Sequence, residues 1–189
     1  MNLFYLDEDL DKCARYHVDK HIVKMPLEAA QLLCTAIWVD EVLGFTPRAL
    51  NAEEREVLNS KKSEIKHLPL EERPLTPYLP MMYNHPCTIW TRSSLDNFEW
   101  VHCYANALND EYYYRYGKLH KSIEQVVNKL PDPVHLERVG FTKFGLAMPE
   151  DLRDYDNPIQ SYRDYYHLDK ATFASWKYRD KPHWWNEDY

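Results

Sequence analysis

The sequence predicts an all-α fold, and three observations carry that expectation. Glycine is scarce, at 4 of 189 residues, too few for the turns of an all-β chain. Apolar residues recur at three-and-four spacing over residues 19–39 and again from Leu95 to Tyr112, the rhythm of an amphipathic helix. Helix punctuation is present too: Asn51 with Glu54 matches a capping box, and Gly117 stands where a helix should end.

Residues 2–6 (NLFYL) form a short apolar entry, read as a tucked arm or one extended strand. Residues 8–17 read as a short helix, and 19–39 as the longest one. Pro26 interrupts it. A proline there removes a backbone hydrogen bond, so it kinks the helix or marks the first turn of a second one. Residues 40–80 read as a surface insertion: a charged helix from Asn51 to about Lys66, then a stiff connector with Pro69, Pro74, Pro77 and Pro80. The next long helix starts at Ser93 or Ser94 and presents Leu95, Phe98, Val101, Ala105, Leu108 and Tyr112. A further helix over 118–130 carries Ile123, Val126, Val127 and Leu130 and stops at Pro131. Short helices follow near 158–167 and 170–178, before the aromatic string SWKYRDKPHWW. The expected organisation is one helical domain over 1–189, with the insertion at about 40–80 and an aromatic, basic tail at about 158–189.

Composition narrows the function. The net charge is −7, and nonspecific DNA affinity comes from Lys and Arg on phosphates. Any nucleic-acid reading therefore requires the basic residues to cluster. No apolar run approaches the roughly 20 residues of a membrane helix, so no membrane association is expected. The N-terminus, MNLFYLDEDLDK, lacks the basic and apolar regions of a signal peptide. Cys13, Cys34, Cys87 and Cys103 form no CxxC pair; Cys34 and Cys103 fall among apolar residues and read as reduced core thiols in a cytoplasmic setting.

The most informative pattern is a polar stripe. On an ideal helix His17, His21, Lys24, Glu28 and Gln31 fall within an arc of roughly 80°, with apolar residues around the other side. The arc is narrow and rich in proton-handling groups. A solvated face with one Lys24–Glu28 pair is the plain alternative. A second cluster is YNHPCTIWTR (83–92), where Pro86 biases His85 to an extended conformation. It is either a turn leading into a helix or a way to place the imidazole at the mouth of a site. A third is EYYYRYGKLHK (111–121), where Arg115, Lys118, His120 and Lys121 bunch at a helix end. These cations offset a helix dipole, or they join Trp176, Lys177 and Arg179 of the tail in a stacking and phosphate-binding surface.

DKHIVKMPLEAAQLL (19–33), NHPCTIWTR and EYYYRYG together resemble the pyrimidine-dimer DNA glycosylase family, over about fifty residues. The resemblance implies an all-α enzyme acting on damaged or modified DNA, with no cofactor and no metal. It implies that a chain-terminal amine attacks C1′ of the damaged nucleotide, expels the base and leaves a Schiff base. A glutamate then assists proton transfer and β-elimination, and Glu28 holds that glutamate's position, spaced from His21 as in the family. A free α-amine is substantially neutral at cell pH and can act as a nucleophile, and a carboxylate beside it can serve as the base. The second residue is Asn2, too bulky for efficient removal of Met1. The amine is therefore that of Met1, that of Asn2 if Met1 is removed, or that of Lys24. His21 and Lys24 would tune Glu28 or hold phosphate. His17, Gln31, Asn84, His85 and Arg92, together with the third cluster and the tail cations, would bind substrate. The setting implied is the cytoplasm of a bacterial or phage-infected cell.

Two other readings stay open. His17 and His21 stand at i,i+4, a spacing that lets two imidazoles share a metal ion in a hydrolase. A non-catalytic, phage-type module that binds nucleic acid or a host protein would need no chemistry from Glu28.

Overall fold

The computed structural model describes residues 1–186. Those residues hold seven α-helices and no β-strand, so the fold is all-α, as the glycine scarcity and apolar spacing imply. Residues 187–189 of the expected tail lie outside the described residues.

Residues 2–6 are a tucked arm without regular structure, with Leu3, Phe4 and Leu6 buried. Helix α1 (Leu10–Tyr16) begins at Asp9, whose carboxylate accepts from the N–H groups of Asp11 and Lys12. Helix α2 (Asp19–Leu43) is the central element and packs against α1's neighbour α5 (Leu95–Tyr116) as well as α3 (Ala52–Ile65), α4 (Pro86–Thr91) and α6 (Lys121–Glu124). It runs through Pro26 as one helix, so Pro26 does not open a second one. The proline costs α2 only the bond that its N–H would have made to the Ile22 carbonyl.

Buried residues occur on nearly every side of α2, which is what a core helix requires. By length and composition α2 is apolar enough to cross a membrane, contrary to the sequence expectation. Within this fold, 78% of its most apolar window is buried.

Both halves of the capping box at Asn51 and Glu54 form, and they open α3. Leu58 of α3 joins Trp38, Val39, Leu50 and Tyr83 in a small apolar cluster at the far end of α2. The proline-rich connector returns along α2: the Trp38 indole donates to Thr76 Oγ1 at 2.9 Å, and the Met81 N–H donates to Thr35 Oγ1 at 3.2 Å. Asn-His-Pro opens the short α4, and α5 starts after it, capped by Ser94 as the sequence implies and closed by Gly117 at φ +67°.

Two expected helices are shorter than the spacing suggests. Residues 118–130 form α6 and then a single turn, Val127–Lys129. Val126 leaves helical dihedrals (φ −120°, ψ −71°), and Ile123, Val126 and Val127 are all buried. Helix α7 (Pro158–Tyr165) runs into a widened turn, Tyr166–Lys170, but 170–178 is not a helix beyond the turn Ala171–Phe173. The backbone there is bonded elsewhere: the Asp19 N–H donates to the Ser175 carbonyl at 2.8 Å, and the Lys177 N–H to Asp19 Oδ2 at 3.0 Å. Cys103 is exposed, which corrects its reading as a core thiol; Cys13, Cys34 and Cys87 are buried.

Candidate active site

The tucked arm brings the chain terminus to the middle of α2. The Asn2 N–H donates to Glu28 Oε2 at 2.7 Å, and the Met1 amine lies 4.0 Å from the same oxygen. The other carboxylate oxygen, Oε1, takes Lys24 Nζ at 3.0 Å. Glu28 is buried, whereas the Lys24 side chain is 66% exposed. One carboxylate is thus shared between an exposed lysine and the start of the chain.

The arm is held by the Asn2 side chain. Its Oδ1 accepts from the Tyr162 hydroxyl at 2.8 Å and the Leu3 N–H at 2.9 Å, and its Nδ2 donates to the Ala147 carbonyl at 2.9 Å. The Tyr162 hydroxyl also lies 2.9 Å from the Gly145 carbonyl. Gly145 itself admits no side chain: a Cβ there would stand 2.8 Å from the Pro86 carbonyl oxygen and 2.9 Å from Trp90 Cβ. The segment around Gly145 therefore closes tightly over α4 and fixes the acceptors that seat Asn2 and Tyr162.

Met1, Asn2, Lys24 and Glu28 line a cleft of about 280 Å³ together with His21, His85, Tyr165 and Lys170. A larger hollow of about 740 Å³ lies between the proline connector and residues 125–131, and neither the chain terminus nor Glu28 lines it. The chemistry favours the smaller cleft. His21 is buried, stacks on Phe4 and pairs through Nδ1 with the Tyr166 hydroxyl at 2.6 Å. Burial, with His17, Lys170 and Lys24 nearby, pushes its pKa down to about 2. His85 caps α4, and burial and then the chain-terminal amine push it down to about 4, against the pull of Glu28. Both imidazoles are neutral at ordinary pH and can donate or accept but not carry charge. Cys87, beside Asn2 and Tyr162, is pushed up to about 12 by burial and stays a thiol.

Several sequence candidates have other employment. His17 is not on α2: it ends α1, is fully buried, and uses both ring nitrogens, Nδ1 donating to the Cys13 carbonyl at 2.7 Å and Nε2 meeting the Tyr104 hydroxyl at 2.8 Å. It cannot bind substrate, and no ring nitrogen remains for a metal shared with His21. Among the described residues no group of three His, Cys, Asp or Glu is placed to hold a metal ion. Arg92 is fully buried and donates to the carbonyls of Thr46, Tyr83 and Arg48. Arg115 is buried and donates to Glu111, Asp19 and the carbonyls of His17 and Arg15. Arg179 pairs with Glu111 and lies 3.5 Å over the Tyr114 ring, and the buried Trp176 donates to the Tyr16 carbonyl. Arg115, Arg179 and Trp176 tie α1, α5 and the tail together, and Arg92 ties the end of α4 to residues 46–48 and 83, which corrects their reading as substrate-binding groups.

The remaining candidates lie outside the cleft. Gln31 is part-buried further along α2. His120 caps α6 and pairs with the Val23 carbonyl, and Lys118, Lys121 and Lys177 are exposed. Asn84 is locked to the Leu50 backbone by two hydrogen bonds and lines a neighbouring hollow with His85. Lys170 and Tyr165 are the lining residues with polar side chains that sequence reading missed, beside Phe4, Met25 and Ala147. Lys170 Nζ bonds the Tyr165 hydroxyl at 3.2 Å and lies 4.4 Å over that ring. Tyr165 ends α7 and Lys170 ends the widened turn after it, far along the chain, and no local spacing ties them to α2.

No family model matches the chain, and neither a curated protein nor a solved structure matches it.

Proposed function

We propose that this chain is a DNA N-glycosylase with AP-lyase activity on damaged or modified pyrimidines. The observation that carries the reading is the meeting of the chain terminus with Glu28: the Met1 amine at 4.0 Å and the Asn2 nitrogen at 2.7 Å from one buried carboxylate oxygen. If Met1 is removed, the Asn2 nitrogen becomes the terminal amine already in contact with the carboxylate. If Met1 stays, its own amine occupies the same cleft. Lys24 is the weaker nucleophile of the three, since α-amines as a class lose a proton well below lysines.

In the reaction the amine lone pair forms a bond to C1′, and the bond from C1′ to the base breaks with its electron pair going to the base, which takes one of the two nitrogen protons by way of Glu28. Opening of the sugar ring then gives the imine, with the second proton from nitrogen ending on O4′. Glu28 takes the C2′ proton, the C3′–O3′ bond breaks, and the 3′ phosphate leaves with the electron pair. Water hydrolyses the imine and frees the amine. A positioned carboxylate suits both proton transfers, and the exposed Lys24 brings positive charge towards a substrate phosphate despite the net charge of −7.

The test is borohydride reduction with duplexes carrying an abasic site or ultraviolet-induced pyrimidine dimers, followed by peptide mapping. The expected product is a covalent adduct on the mature N-terminal residue. Absence of an adduct with every substrate, or an adduct mapping to a residue outside the cleft, overturns the reading.

A further inference from the structure

Met82 is the one non-glycine residue, among those described, with a positive φ, at +49°. Left-handed backbone is disfavoured for a residue with a Cβ and persists only where the surroundings over-determine it. Here they do. The Met81 N–H donates to Thr35 Oγ1, the His85 N–H donates to the Met82 carbonyl at 3.0 Å, and the Tyr83 carbonyl accepts from Arg92 at 2.7 Å. Asn84 is clamped to Leu50 at 2.7 and 2.9 Å. The outcome of all this anchoring is an apolar side chain that is 48% exposed.

Its place is specific. Met82 lines a hollow of about 330 Å³ with Arg55, Tyr83, Asn84 and His85. His85 also lines the cleft of Glu28, so the two hollows adjoin across one imidazole. A strained turn therefore holds an exposed thioether at the mouth of the candidate active site. Arg55 stands beside it on the exposed face of α3.

We propose that Met82 is a wedge that enters the base stack of duplex DNA beside the target nucleotide and holds it open while C1′ meets the terminal amine. The inference rests on the glycosylase reading above. An enzyme that reacts at C1′ inside a duplex must move the nucleotide out of the stack, and unstacking is commonly supported by an apolar side chain inserted between base steps. Methionine suits the task, being apolar, unbranched and adaptable in shape. The rigid backbone sets where the wedge enters. Met82 is a positioning residue in this scheme and touches none of the reacting atoms.

The test compares borohydride trapping rates on the same oligonucleotide carrying a pyrimidine dimer, as duplex and as single strand, for wild type, Met82→Gly and Met82→Leu. Glycine tolerates the positive φ, so Met82→Gly keeps the turn while removing the wedge. The expected result is a fall of roughly tenfold in the duplex-to-single-strand ratio for Met82→Gly, since part of the unstacking cost then falls on the substrate, with the ratio restored by Met82→Leu. A ratio equal to wild type in Met82→Gly, or equal slowing on both substrates, overturns the wedge and leaves the glycosylase reading standing. No trapping of either substrate by the wild type overturns that reading and the wedge with it.

Discussion

The Asn2 N–H donates to Glu28 Oε2 at 2.7 Å, which joins the second residue of the chain to the centre of its longest helix. A buried carboxylate needs partners, and Glu28 finds them in Asn2 on one side and Lys24 on the other. The same contact that satisfies the carboxylate positions the chain terminus.

Replacing Glu28 by Gln separates these two roles. The amide keeps an acceptor for the Asn2 N–H, so thermal stability should change little. Without a base, strand cleavage should fall roughly a hundredfold or more. Gel assays of cleavage beside a melting curve check this. Cleavage at the wild-type rate would leave Glu28 a purely structural residue.

Asn2→Ala changes the terminus itself. Alanine is small enough to allow removal of Met1, which intact mass reads directly. The Tyr162 hydroxyl, the Leu3 N–H and the Ala147 carbonyl each lose a partner, at a cost of about 1–3 kcal/mol in denaturant unfolding. The trapped adduct should then map to residue 2. An adduct that stays on Lys24 in this variant would move the nucleophile to the helix.

Acid should unfold this protein early. Burial holds His17 at about 3 and His21 at about 2, against an ordinary value of 6.5. The unfolded chain therefore binds more protons than the folded one below pH 6.5. Stability is full above that value and falls as pH drops towards 3, by roughly 1.4 kcal/mol per pH unit for each histidine once well below 6.5. Urea midpoints between pH 7 and pH 4.5 check the slope, and a flat series contradicts it.

Arg115 should prove structural. Its side chain is 0% exposed and its ion pairs reach Glu111 and Asp19. Arg115→Met takes the buried cation from Glu111 and Asp19 and the donor from the His17 and Arg15 carbonyls, costing about 3–5 kcal/mol. The salt dependence of DNA affinity, measured on the folded fraction, should keep its slope, because this guanidinium neutralises no phosphate. A slope reduced by about one would return Arg115 to the DNA-binding surface.

Much of the fold was legible in local sequence. The cap at Asn51, the stop at Gly117 and the apolar face from Leu95 to Leu108 depend on neighbours in the chain, and each forms where its pattern lies. The helix expected over 118–130 failed for a nonlocal reason: burying Val126 and Val127 together outweighed continuing the helix. The polar stripe was legible as a pattern but misjudged as a surface. His17 and His21 are buried, and only Lys24 faces solvent freely.

What the sequence determined by itself is the helical class, the caps and the unusual company of His21, Lys24 and Glu28, because these depend on residues within a few turns of one another. Tertiary structure alone decided that the chain terminus meets Glu28, that Lys170 and His85 share its cleft, and that Arg92 and Arg115 serve the backbone. Those contacts join residues far apart in the chain, and they are fixed by the packing of the arm, α4 and α7 around α2.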